Sequence, residues 1–154
     1  MKEAVSRPDL HTTDNTLPRS KILRGRRNFE RLFEKSTVLN SDSLQFRYRL
    51  YNDPAEGCYI GFIAPKKRIK GAAKRNRIKR YMRESYRLNQ QLLQDLFSQN
   101  CFGFHGAFMA GSDQLTYESA NTQIVDLLNK TRERLMRYSP KTSSDSRQST
   151  NHEI

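Results

Sequence analysis

Apolar and polar positions alternate with a period of two over residues 44–51, Leu-Gln-Phe-Arg-Tyr-Arg-Leu-Tyr. Successive strand side chains point to opposite faces, so Leu44, Phe46, Tyr48 and Leu50 share one face and Arg47 and Arg49 the other. The pattern predicts a half-exposed strand with its cations outward. Residues 52–57 carry Asn52, Asp53, Pro54 and Gly57 and read as a turn. Residues 58–64, Cys-Tyr-Ile-Gly-Phe-Ile-Ala, read as a second strand, which predicts a hairpin. Upstream, Phe29, Leu32 and Phe33 at i, i+3 and i+4 predict a short helix with Asn28 as its cap.

Beyond residue 70 the period changes from strand-like to helical. A long helix is predicted from about Ala72 to Phe97, with Ile78, Tyr81, Met82 and Ser85 on its inner side, continuing through Leu88, Leu92 and Leu96. Residues 101–109 are apolar, short and interrupted by glycine, which suits a central strand. Thr116 can cap a last helix whose buried stripe is Ala120, Ile124, Leu127, Leu128, Thr131 and Leu135. Arg132, Arg134 and Arg137 then fall in its last turns and suit the helix dipole. Residues 1–19 are polar with mixed charge and predict a disordered arm. Residues 139–154 are rich in Ser and Thr and predict a disordered tail, leaving a single folded domain over 20–138. The element order predicts an α/β (α+β) two-layer sandwich, a small sheet covered by helices. Strand 58–64, helix 72–97 and strand 101–109 form its βαβ crossover.

Charge narrows the partners. The 154 residues hold 28 Lys and Arg against 16 Asp and Glu, a formal net charge of +12. A balance this basic fits an anionic partner, nucleic acid foremost. The excess is concentrated in 71–87, where seven of seventeen residues are Lys or Arg. At about 100° per residue, Lys79, Arg83, Asn76, Arg87 and Arg80 fall in one sector roughly 100° wide, with Arg75 at its edge. Only Glu84 lies within the segment to neutralise them, at helical spacing from Arg80 and Arg87. A row of cations with one amide suits spaced phosphates, which accept bidentate guanidinium hydrogen bonds.

Other chemistry is sparse. Cys58 and Cys101 lack paired C-x-x-C spacing, so each is expected to be a buried, reduced thiol in a cytoplasmic protein. His105 sits in an apolar strand and is expected to be a satisfied core residue. The three histidines are scattered, and no carboxylate pair has metal-site spacing, so the chain is expected to hold no metal and to carry no catalytic residue of its own. Residues 1–22 contain no apolar segment of the kind found in signal peptides, and no run approaches the length of a bilayer span.

At the basic helix the pattern becomes specific. Arg75-Asn76-Arg77, Lys79-Arg80, Arg83-Glu84 and Arg87 resemble the signature of the protein subunit of bacterial ribonuclease P. Two Phe residues four apart (Phe29 and Phe33), the run Phe46-Arg47-Tyr48, a strand leading into Lys66-Lys67, and Leu115-Thr116-Tyr117-Glu118 at the last helix are similar too. The match covers about residues 20–138 in one order.

The resemblance implies a four-stranded sheet with a left-handed βαβ crossover, a fold also found in the second domain of a ribosomal protein. It implies a subunit that joins a catalytic RNA and assists endonucleolytic removal of the 5′ leader from precursor tRNA. The magnesium would be held mainly by the RNA. Arg75, Asn76, Lys79, Arg80, Arg83 and Arg87 would face the catalytic RNA. Phe29, Phe33 and Tyr48 would line the leader cleft, with Lys66 and Lys67 on its rim; plain core packing is the competing role for the two Phe residues. Family members commonly carry Lys or Arg after the last strand, where this chain reads Phe108-Met109-Ala110-Gly111. A non-catalytic ribosomal-type RNA-binding protein is the alternative. A DNA binder is a weaker one, because Asn76 is the only evident base reader on the helix.

Overall fold

The computed structural model of the chain describes residues 16–153, with side chains through Arg137. Four strands form one mixed sheet: β1 (Thr37–Asn40), β2 (Leu44–Tyr51), β3 (Cys58–Ile63) and β4 (Gly103–Ala110). Their order is β1-β2-β4-β3, with β3 and β4 parallel and the other two pairs antiparallel. The predicted β3-to-β4 crossover is therefore present. The predicted hairpin between 44–51 and 58–64 is not, because β4 lies between them. β4 is buried along nearly its whole length and needs a paired strand on each edge. The hairpin that does exist joins β2 to β1, a short strand with few apolar residues to announce it. Ser41 N donates to Leu44 O at 2.8 Å in its turn.

The four helices are α1 (Arg26–Glu34), α2 (Ala72–Asn89), α3 (Gln91–Phe97) and α4 (Tyr117–Glu153). Three of them, α2 to α4, cover one face of the sheet. Ile78, Met82 and Tyr86 of α2, Leu93 and Leu96 of α3, and Ile124, Leu127, Leu128 and Leu135 of α4 pack there on Phe46, Tyr48, Ile60, Phe104 and Phe108. The rings of Phe46 and Phe108 stack at 4.3 Å between centroids. All six residues of the predicted α4 stripe are buried. Thr116 Oγ1 accepts from Ser119 N at 3.1 Å, as a capping residue does.

Three boundaries differ from the sequence reading. The predicted helix 72–97 breaks at Gln90, which the unbroken leucine spacing conceals. There the Gln90 amide donates to Arg87 O and Thr16 O, and Asn89 donates to Ser85 O, so side chains take up carbonyls at the end of α2. α4 runs through Glu153, past the expected end of the folded part at 138, so Arg132, Arg134 and Arg137 lie within the helix and not in its last turns. Arg132 serves packing instead, donating to Leu92 O and Asp95 Oδ1 at 2.7 Å each.

At the other end, residues 1–15 of the expected arm lie outside the described residues. Residues 16–19 of that arm are ordered against the domain: Leu17 packs on the core and Thr16 O accepts from Gln90. Among the described residues no helix is long and apolar enough to cross a membrane.

Candidate nucleic-acid interface

The outer side of α2 is a cationic surface. Ile78, Met82, Ser85 and Tyr86 are buried, which turns the opposite sector outward. Asn76, Arg77, Arg80 and Arg83 are exposed and Lys79 is half-buried; none of them makes an ion pair among the described residues. Arg75 at the sector's edge is partly committed, donating from Nη1 to Ile69 O at 3.1 Å. Arg87 is held by Glu84 through two hydrogen bonds, of 3.1 and 2.9 Å. Those bonds hold the Glu84 carboxyl below the usual carboxylate range. The single acid of the segment thus neutralises its last cation, and the row from Arg75 to Arg83 stays cationic. Ser85 Oγ donates to Asn121 Oδ1 at 2.8 Å, and Asn89 donates to the same oxygen at 3.2 Å, so α2 is fixed on α4.

The opposite face of the sheet carries α1. Its sequence start differs from the expectation: Gly25, at φ 97°, is the capping position, and Asn28 turns its amide to Arg24 O at 2.9 Å. Leu32 is buried with Leu23 and Ala107, and Phe29, Tyr59 and Ile63 pack around them. Gly61 makes this seat possible. A Cβ there would meet Phe29 Cζ at 2.9 Å, so only glycine lets the ring lie on the sheet.

Cations brace α1 from the side. Arg31 makes two hydrogen bonds to the Glu56 carboxylate, both 3.2 Å. Arg49 donates to Arg31 O at 2.8 Å. Both guanidinium groups lie over the Tyr51 ring, 4.7 and 4.8 Å from its centroid.

Beside α1 an open strip remains. Phe33 is 41% exposed and stacks on Phe29 with centroids 6.4 Å apart. The Arg47 guanidinium lies 5.2 Å from the Phe33 centroid, and its Nε donates to Gln45 Oε1 at 2.9 Å. In register with these lie Met109 opposite Gln45 and Ile63 opposite Met109. Lys66, Lys67 and Arg68 follow β3 in an exposed turn. Arg68 reaches across to β4, its Nη1 bordering an opening of about 320 Å³ shared with Gln45, Met109 and Gly111.

The sequence-predicted residues thus divide. Phe33 lies on the strip, and Lys66 and Lys67 are exposed in the turn after β3. Phe29 lies beneath Phe33, half-buried, and belongs partly to the packing of α1. Tyr48 does not line the strip. It is 4% exposed, on the opposite face of β2, between Phe46 and Phe104. The alternation that groups Tyr48 with Phe46 forbids it from sharing a surface with Arg47. The strip also holds Arg47, which the sequence reading placed outward without assigning it to the cleft, and borders Arg68, which it did not assign there either. The period of two gives the face of Arg47, whereas the place of Arg68 follows only from where the turn after β3 points.

Cys58 is half-buried, and burial pushes its thiol up to about 11. Cys101 is exposed, contrary to expectation, because it lies in the bend before β4 and not in the strand. His105 is 2% exposed, with Nε2 3.0 Å from Glu56 O, and its Nδ1 lacks a partner among the described residues. Among those residues no three His, Cys, Asp or Glu side chains form a group able to hold a metal ion.

A family model described as Ribonuclease P matches residues 17–132. The "Ribonuclease P protein component" of Chlorobaculum tepidum is 37% identical over 83 residues, covering 51% of this chain and 54% of the relative. That of Nitrosomonas europaea is 40% identical over 83 residues, 53% of this chain and 66% of the relative. That of Porphyromonas gingivalis is 50% identical over 50 residues, 32% of this chain and 36% of the relative. The chain spans from about a third to two thirds of the length of these curated relatives. Among solved structures, the Staphylococcus aureus RNase P protein superposes with a TM-score of 0.58 at 16% identity, over 72% of this chain and 94% of that one. The Thermotoga maritima RNase P protein gives 0.56 at 21% identity, over 71% and 96%. Both share the α+β fold described above.

Proposed function

The chain belongs to the ribonuclease P protein family, and from that premise we propose that it is the protein subunit of a ribonucleoprotein endoribonuclease that removes the 5′ leader of precursor tRNA. The carrying observation is that its cations lie on two surfaces, one on each side of the sheet. The outer side of α2 takes the catalytic RNA, with Asn76, Lys79, Arg80 and Arg83 facing phosphates and Arg75 and Arg87 at the margins. The strip beside α1 takes the single-stranded leader. Phe33 offers a ring on which a base stacks without regard to sequence, worth roughly 1–3 kcal/mol per base. Arg47, Lys66 and Lys67 accompany the backbone.

Catalysis belongs to the RNA partner in this reading. Among the described residues no side chains form a metal-holding group, and His105, the one histidine among the side chains described through Arg137, is buried. This reading assigns magnesium to the RNA, with the protein's cations replacing part of the screening that the metal provides. The test is precursor tRNA cleavage by the catalytic RNA at low magnesium, with and without the protein. The protein should lower the magnesium requirement; robust cleavage by RNA-free protein would contradict the assignment.

A further inference from the structure

Arg75 stands apart from the basic row it belongs to in sequence. Asn76, Arg77, Arg80 and Arg83 are exposed, whereas Arg75 is half-buried. It makes no ion pair among the described residues, and its Nη1 donates to Ile69 O at 3.1 Å. Ile69 lies in the turn between β3 and α2. Its side chain is buried in the core, and its amide and that of Arg68 both donate to Pro65 O, at 2.9 and 3.1 Å. No backbone amide bonds the Ile69 carbonyl among the described residues. Arg75 therefore supplies the partner that a neighbouring strand or helical turn supplies elsewhere, and a partly buried carbonyl is costly to leave unpaired.

The turn held in this way carries Arg68. That side chain is exposed and makes no ion pair among the described residues. It borders the opening of about 320 Å³ beside Gln45 and Met109, where the strip continues past Arg47. Its Nη1 lies 3.9 Å from the place a Cβ on Gly111 would take, so the bare backbone at 111 leaves it room. Asp42 lines the same opening and does not pair with it. A guanidinium carried on a clamped turn meets an anion with less ordering left to do than one on a free loop.

We propose that Arg75 is a positioning residue: by clamping the Ile69 carbonyl it fixes the turn, and with it Arg68, beside the strip, where Arg68 meets a phosphate of the single-stranded leader. The proposal rests on the reading of the strip as the leader site. It adds Arg68 to that site, and it moves Arg75 from the catalytic-RNA surface to the support of the leader surface.

The test compares the wild type with Arg68→Ala, Arg75→Ala and the double variant, each shown to be folded by its melting curve. Amide hydrogen exchange of the RNA-free chain comes first. Arg75→Ala should speed exchange at Arg68 and Ile69 and leave the amides of β4 as they are; unchanged exchange in the turn overturns the clamp. Affinities for precursor and mature tRNA in the assembled complex come next. Arg68→Ala should lower the precursor-to-mature ratio on the order of fivefold, the scale of one exposed ion contact. Arg75→Ala should lower it in the same direction and by no more, and the double variant should match Arg68→Ala alone, because Arg75 acts through Arg68. A loss of structure at large would instead weaken both tRNAs together. Arg75→Ala should also keep the wild-type salt slope for the catalytic RNA, whereas a phosphate contact of its own would reduce that slope by somewhat under ~1. An unchanged ratio in Arg68→Ala, losses that add in the double variant, or a reduced slope in Arg75→Ala overturns the proposal. The reading of the strip fails by a different result, a Phe33→Ala variant with the wild-type ratio.

Discussion

The outer side of α2 and the strip beside α1 are built of opposite materials, and in the proposed function both meet the same polymer. The α2 surface is almost all cation: Ile78, Met82 and Tyr86 are buried beneath it, and the cations neutralised among the described residues are Lys74, by Asp113, and Arg87, by Glu84. Its hold on RNA should come from phosphates, fall steeply with salt and carry little base information. The strip carries a half-exposed ring, a guanidinium stacked on it and apolar side chains of the sheet. Its hold should come partly from stacking, which salt weakens far less. The difference teaches that one small domain can present two surfaces of unlike chemistry, which under the proposed function lets a folded RNA and a variable single strand bind without competing for one site.

The largest effect should come from a residue that only resembles part of the strip. Tyr48→Ala removes a buried ring from between Phe46 and Phe104 and should cost about 3–5 kcal/mol of stability, read by denaturant unfolding. The ratio of precursor to mature tRNA affinity should stay as it is in the protein that remains folded. A changed ratio at full stability would put Tyr48 back on the leader surface.

Phe33→Ala should do the reverse. It should leave stability nearly intact and weaken precursor tRNA by roughly 1–3 kcal/mol, with mature tRNA unaffected. Arg47→Ala should act in the same direction through the lost stack, at the lower end of that range or below. Equal loss for both tRNAs would move the strip's role elsewhere.

The smallest effect concerns the support beneath α1. Burial holds the His105 imidazole below its ordinary pKa, partly offset by Glu56 O, and the nearby Arg31 and Arg49 lower it further. The unfolded chain therefore takes up a proton before the folded one does. Stability should be full above about pH 6.5 and decline as pH falls through that value towards the lowered folded pKa. His105→Gln should flatten this part of the stability profile. An equally steep decline in the variant would assign it to other groups.

How much of this was legible in the sequence depends on which physical rule was at work. Periodicity is local, so the faces of β2, the inner side of α2 and the stripe of α4 could be read directly from Leu44 to Leu50, Ile78 to Tyr86 and Ala120 to Leu135. Pairing is not local. The turn at 52–57 suits a hairpin, yet β2 and β3 are parted by a strand some forty residues later in the chain, and nothing in their own residues says so. The break at Gln90 was hidden because it arises from side-chain hydrogen bonds and not from a change in hydrophobic period.

The cationic surface was legible because charge density survives any fold. The strip beside α1 was legible only in part. Phe33 and the Lys66-Lys67 pair stood out by type, whereas placing Tyr48 there conflicts with the parity of its own strand. Arg68 became visible only once the turn after β3 had a direction.

The central claim is that the two surfaces act separately, and one crossed measurement addresses it. Arg80→Ala, Phe33→Ala and the double variant are each titrated against the catalytic RNA alone and, in the assembled complex, against precursor and mature tRNA. Arg80→Ala should weaken the catalytic RNA, with a salt slope smaller by somewhat under ~1, and leave the precursor-to-mature ratio unchanged. Phe33→Ala should lower that ratio and leave the catalytic RNA unaffected, and the two losses should add in the double variant. A single variant that moves both quantities while remaining folded would contradict the account.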